Sequence, residues 1–329
     1  MKIRKIMIGC LAFAAVASFT GCQVGKTRFV WHEEKKISRK HLFSMNNVTC
    51  DLKQAKIYLC NYRNLYGNAY GIDLWQYDFG EGTLEQYVKD VTIQQLSRIV
   101  CMNLLAEQMN IGLTEEELNL VSDAAKEYYR SLRDEELAYM EVRESDIATA
   151  YRQYALAKKL YDILTEGIDE EVSDDEARVI SVQQIFVTDP ADVEKIEEKL
   201  EAGDPFMAVA SAYSLADEIE LYVARDEFPQ EVENIAFNLD NGAVSECIKA
   251  GEGYYFIKCI SKLEEEQTEA NKDNIRMKRR IAQFDKVYQD FMESTEFELN
   301  TEMWESVRLE DLRGVETDSF FEVYAKYFK

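Results

Sequence analysis

The sequence predicts an α+β protein in which a smaller mixed domain interrupts a helical module. Three observations carry this reading. All three prolines, Pro190, Pro205 and Pro229, fall within one forty-residue stretch, which leaves the rest of the chain free to be helical. Apolar residues recur at helical spacing through 49–172, whereas Val179 to Val187 is a β-branched, strand-like run. After 264 a long charged helix returns with Ile275, Ile281, Phe284, Tyr288 and Phe291 on one side, an apolar stripe that needs a partner. With 329 residues, 47% of them hydrophobic, the chain has material for a real core and a length that suits two domains.

Residues 1–21 read as a leader rather than as fold. Lys2, Arg4 and Lys5 precede an apolar run from Ile6 to Phe19, shorter than the roughly 20 residues a membrane-spanning helix needs. The run ends in Phe19-Thr20-Gly21-Cys22, and small residues directly before a cysteine resemble a bacterial lipobox. That resemblance implies that Cys22 carries lipid and becomes the new N-terminus, anchoring an extracytoplasmic protein to the cell membrane. An ordinary secretory signal that happens to contain a cysteine is the alternative. Residues 22–48 follow as a tether, with Lys26, Arg28, Lys35, Lys36, Arg39 and Lys40 suited to an anionic lipid surface. Gly21 to Thr27 is not a phosphate loop, because three residues rather than four separate its glycines.

The helical region, 49–172, opens on Leu52, Ala55, Leu59, Tyr62 and Tyr66, with Gly67 as a stop. Thr83-Leu84-Glu85-Gln86 and Thr114-Glu115-Glu116-Glu117 read as capping boxes, each heading a helix. A further helix runs from about Asp146 to Leu164. The tyrosines at 128, 129, 151, 154 and 161 read as core, with an adaptable cradle for clients as the sharper alternative. In the mixed domain, 173–263, the strand is followed by a helix from Ala191 to Ala202, short helices at Phe206–Tyr213 and Gln230–Asn238, and a hairpin. Its arms are Val244–Lys249 and Tyr254–Ser261. Residues 264–329 are expected as a C-terminal helix and tail packing on the helical region.

Composition excludes several functions. A net charge of −24 argues against a nucleic-acid partner. Both histidines, His32 and His41, lie in the tether, so a nucleophile–His site has no base. The five cysteines beyond Cys22 lack zinc spacing and read as buried free thiols. No calcium loop is present, and no metal or cofactor is expected.

Residues 176–262 resemble a parvulin-type peptidyl-prolyl isomerase domain. The resemblance rests on Arg178 to Val187, on Gly203-Asp204-Pro205-Phe206 with Ala210 and Tyr213-Ser214, on Ala236 to Ser245, and on Gly253-Tyr254-Tyr255-Phe256-Ile257-Lys258. The surrounding plan is similar to the PrsA and SurA foldases of the cell envelope. The resemblance implies a membrane-anchored folding factor that binds unfolded exported polypeptides, the helical module being the chaperone part. It places the family's two facing histidines at Gln184 and Tyr255. The acid or thiol falls at Ala216, with Asp217 beside it, and Leu221, Phe228, Val232 and Phe237 line the proline pocket. Both histidines are therefore replaced, and isomerisation is expected to be weak. A catalytically silent holdase or a lipoprotein adaptor that keeps the fold is the alternative.

Overall fold

The computed structural model describes residues 41–70, 75–77, 82–168, 170–312 and 314–328, and folded structure is present from Leu42. The tether expected to reach 48 therefore ends sooner. Strands β1 (Phe43–Met45) and β2 (Val48–Cys50) form a hairpin, and Leu42, Phe43 and Met45 are fully buried. Its turn uses Asn46 at φ 50°, a left-handed conformation that asparagine tolerates better than most residues.

Helices α1 (Leu52–Tyr70), α2 (Leu84–Gln108), α3 (Glu115–Ser131), α4 (Asp134–Met140) and α5 (Glu144–Leu164) follow. Thr114 and Glu117 close the expected reciprocal box at the start of α3. At α2 half of it forms: the Thr83 hydroxyl accepts from the Gln86 N–H, while the Gln86 side chain donates to Asp90. Next come α6 (Asp174–Ala177), β3 (Ile180–Val187), α7 (Pro190–Glu201), α8 (Phe206–Tyr213), β4 (Glu220–Val223), α9 (Gln230–Ala236), β5 (Ile248–Ala250) and β6 (Gly253–Ser261). The hairpin arm expected at Val244–Lys249 is shorter than foreseen. Val244 makes a lone bridge to Lys258 before β5 begins. Helix α10 (Glu265–Glu293), strand β7 (Phe297–Leu299), α11 (Thr301–Glu305) and α12 (Phe320–Tyr327) complete the chain. Among the described residues no helix is long and apolar enough to cross a membrane.

Contacts divide the chain into two units, one through Glu166 and again from Gln283, the other Gly167–Ala282. The first holds a three-stranded sheet in the order β2-β1-β7 and a core shared by α1, α2, α3, α5 and α12. Of the five tyrosines expected as core, Tyr128, Tyr151, Tyr154 and Tyr161 are buried and Tyr129 is half-buried; Tyr58, Tyr128 and Tyr151 are fully buried around Phe320 of α12. Their hydroxyls are matched where the chain can reach them. Tyr151 donates to the Phe320 carbonyl at 2.8 Å, and Tyr128 takes hydrogen bonds from Asn61 and Thr317.

The second unit is an antiparallel sheet in the order β4-β3-β6-β5. Alternation along β3 sends Ile185 and Val187 to one face, against Ile196 of α7 and Phe206 and Val209 of α8. Ile180 and Val182 go to the other face, against Val232 and Ala236 of α9. Cys50, Cys60, Cys101, Cys247 and Cys259 are free thiols, all but Cys247 buried.

Candidate functional site

Register decides which side chains meet on the α9 face of the sheet. Cross-strand partners share a face, and β3 pairs Val182 with Cys259, Gln184 with Ile257 and Phe186 with Tyr255. On the outer strand Val182 faces Leu221, and Ile248 of β5 faces Tyr255. Gln184 and Tyr255 therefore lie diagonally on one surface. Leu221, Phe228, Val232 and Phe237 share one apolar cluster with Tyr255.

The members of that cluster differ in what a ligand can touch. Leu221, Phe228 and Tyr255 are half-buried. Val232 and Phe237, expected as pocket walls, are 0% and 3% exposed. Helix α9 lies on the sheet with Val232 facing inward, so both residues form the base beneath the site. Phe237 is further covered by the guanidinium of Arg225, 4.3 Å from its ring centre, and by that of Arg178 at 5.3 Å. Arg225 is itself held near Asp175 and Glu233, and Glu233 accepts the Asp226 N–H at 2.7 Å. Asp226 sits at φ 67°, so the loop that carries Phe228 is pinned in a conformation few residues adopt.

Gln184 and Tyr255 share a face without forming a polar pair. The Gln184 side chain donates to the Glu218 carbonyl at 2.9 Å, and its backbone N–H donates to the Ile219 carbonyl at 2.8 Å. The Tyr255 ring packs on Phe186, centroids 4.8 Å apart. Among the described residues no hydrogen bond joins the two side chains. The loop behind Gln184 is laced to the same strand. Ser214 Oγ accepts from the N–H groups of Phe186 and Ala216, and the Leu215 N–H donates to the Phe186 carbonyl. Asp217 stands exposed in this loop and is not brought onto the floor of the site.

Phe186 and Gly253 are the site residues that sequence reasoning missed. A Cβ at 253 would fall 2.1 Å from Cε2 of Phe186, so the glycine lets that ring lie over the start of β6 and against Tyr255. The signal was present in the alternation of β3, which puts Phe186 on the face of Gln184.

The two thiols of the second unit are not activated. Burial pushes the Cys259 and Cys247 thiols above their ordinary range, with Asp240 and Glu197 respectively adding to the effect. Among the described residues no group of three or more His, Cys, Asp or Glu could hold a metal ion.

A family described as the PPIC-type PPIASE domain matches residues 169–272. The foldase protein PrsA 4 of Bacillus cereus is 30% identical over 210 residues, covering 60% of this chain and 71% of that protein. The foldase protein PrsA of Caldanaerobacter subterraneus subsp. tengcongensis is 26% identical over 208 residues, or 58% and 62% of the two chains. Among solved structures, the peptidylprolyl isomerase PrsA of Bacillus cereus aligns over 72% of this chain and 96% of its own. The TM-score is 0.38 and the identity 20%.

Proposed function

Because the chain belongs to the PrsA family of foldases, a group of parvulin-type folding factors, we propose that it works on exported polypeptides chiefly by holding them unfolded. In this reading its prolyl isomerisation falls well below that of a parvulin with both histidines. The observation that carries the reading is the engagement of Gln184 with the Glu218 carbonyl. Rotation about an X–Pro bond crosses a barrier of about 18–20 kcal/mol set by amide resonance. A catalyst must seat the proline ring in a dry pocket and favour the twisted amide over the planar one. Leu221, Phe228 and Tyr255 supply an apolar seat. The polar group that should answer the twisted amide is occupied at 184 and is a phenol at 255, and each lost 1.36 kcal/mol of selective binding is about a tenfold loss in rate.

Client holding is assigned to the helical unit. Suppression of aggregation of an unfolded model client should therefore be the same for the wild type, Gln184→Ala and Tyr255→Phe. Light scattering measures it. A wild type that fails to suppress, or a substitution that abolishes suppression, would contradict the assignment.

Anchoring through Cys22 completes the proposal, and Cys22 lies outside the described residues. The motivating feature is the run of small residues before it at the end of an apolar leader. Cys22→Ala should release the protein from membranes or leave it unprocessed. Recovery of a processed form in the membrane fraction would sink the lipid anchor.

A further inference from the structure

The chain comes into the second unit along residues 170–179 and leaves it along α10, and the two segments are fastened together in two chemically different ways. From Ala177 onward the contacts are neutral and short. Asn271 donates to the Ala177 carbonyl at 3.0 Å, the Val179 N–H to Thr268 Oγ1 at 3.1 Å, and the Glu264 N–H to the Val179 carbonyl at 2.9 Å. Ala177 and Thr268 are buried. From Glu170 to Glu176 the contacts are ionic. Lys272 meets Asp174 at 2.6 Å, Arg279 meets Glu176 at 2.6 Å, and Arg280 pairs with Glu170. Arg276 and Arg279 also donate to the carbonyls of Glu170 and Glu171, each at 3.0 Å.

Exposure separates the two fastenings. The carboxylates of Glu176, Glu170 and Asp174 are 41%, 51% and 83% exposed, so mobile ions reach them. Single exposed pairs contribute little, but this is a network of three cations, Lys272 and, two turns on, Arg279 and Arg280, on one helix against carboxylates on one short segment. Its strength depends on screening, whose length falls from about 10 Å at 0.1 M salt to about 3 Å at 1 M.

We propose that residues 170–176 are an ionic strap, lifted from α10 by ionic strength while the sheet behind it stays folded. The neutral contacts at Ala177, Val179 and Thr268 mark where lifting stops. The strap is thus a salt-responsive device at the point where the unit joins the rest of the chain.

Hydrogen exchange read by mass spectrometry tests it on the intact chain. The Glu176 and Ala177 amides, bonded to Ser173 Oγ and the Ser173 carbonyl, report the strap, and those of Val232 to Phe237 serve as control. Raising NaCl from 0.1 M to 1 M should speed exchange at the strap about tenfold and leave the control unchanged. The quadruple substitution Lys272→Gln, Arg276→Gln, Arg279→Gln and Arg280→Gln, which removes each α10 cation that meets the strap, should exchange fast at both salt concentrations. Salt-insensitive exchange in the wild type, equal acceleration of the control, or a variant that keeps the salt response would overturn the proposal. If the variant loses protection at the control as well, the wild-type salt series decides alone.

Discussion

Phe320→Ala is expected to cost the helical unit about 4 kcal/mol, the upper range for removing a buried aromatic ring. The ring is fully buried and is the point at which α12 meets the older part of the core. It stacks on Tyr151 at 4.2 Å with planes 8° apart, and Tyr128 and Tyr58 approach it at 5.4 and 5.3 Å. Alanine would leave a cavity walled by three fully buried tyrosines, two of which, Tyr128 and Tyr151, are locked by hydrogen bonds, so the site cannot readily collapse to fill it. The Phe320 N–H also donates to Asn61, and its carbonyl takes the Tyr151 hydroxyl, which fixes the backbone and limits relaxation further. At about 2 kcal/mol per molar for urea, the unfolding midpoint should fall by about 2 M. A midpoint that stays in place would mean that α12 is not packed as described.

Glu136→Ala should cost about 3 kcal/mol, because it orphans several donors at once. Glu136 is 2% exposed. One carboxylate oxygen accepts the N–H groups of Glu316 and Thr317 at 2.8 and 2.7 Å, and the other accepts the Arg133 N–H at 2.9 Å. It thereby ties α4 to the segment that leads into α12. Burial by itself would raise this carboxyl. The N–H groups of Arg133, Glu316 and Thr317 and the Arg133 guanidinium outweigh burial and hold it below the ordinary carboxylate range. The sign for stability follows. A group whose folded pKa lies below its unfolded value of about 4.3 contributes fully above that value and loses its contribution as pH falls through the folded one. The gap in urea midpoint between wild type and Glu136→Gln should therefore be full at pH 7 and shrink in acid, below about pH 4. A gap that widens in acid would reverse the assignment.

Helices were read from the sequence where apolar spacing and caps agreed, as at Thr114 and Glu117, and the tyrosines at helical spacing fell where burial requires them. The small sheet was not read. Its strands have three residues each, too few for alternation to show, and its third member joins the hairpin across 250 positions at Asn46 and Glu296. Basic neighbours hid Leu42, Phe43 and Met45 in an apparent tether. In the site, motif spacing located Gln184 and Tyr255 on one face. It could not show that Gln184 is taken by a backbone carbonyl 34 positions away, since a carbonyl leaves no mark on residue type. Counting along α9 likewise found Val232 without revealing that the helix turns it into the core.

The proposal of weak isomerisation at Gln184 and Tyr255 is tested most directly by cis–trans exchange on an X–Pro peptide, followed by NMR. Wild type, Gln184→Ala and Tyr255→Phe should all show slow, similar exchange, because neither side chain answers the twisted amide. A fast wild type that either substitution slows at least tenfold, about 1.4 kcal/mol of transition-state binding, would contradict the account and make Gln184 and Tyr255 a working replacement for the histidine pair.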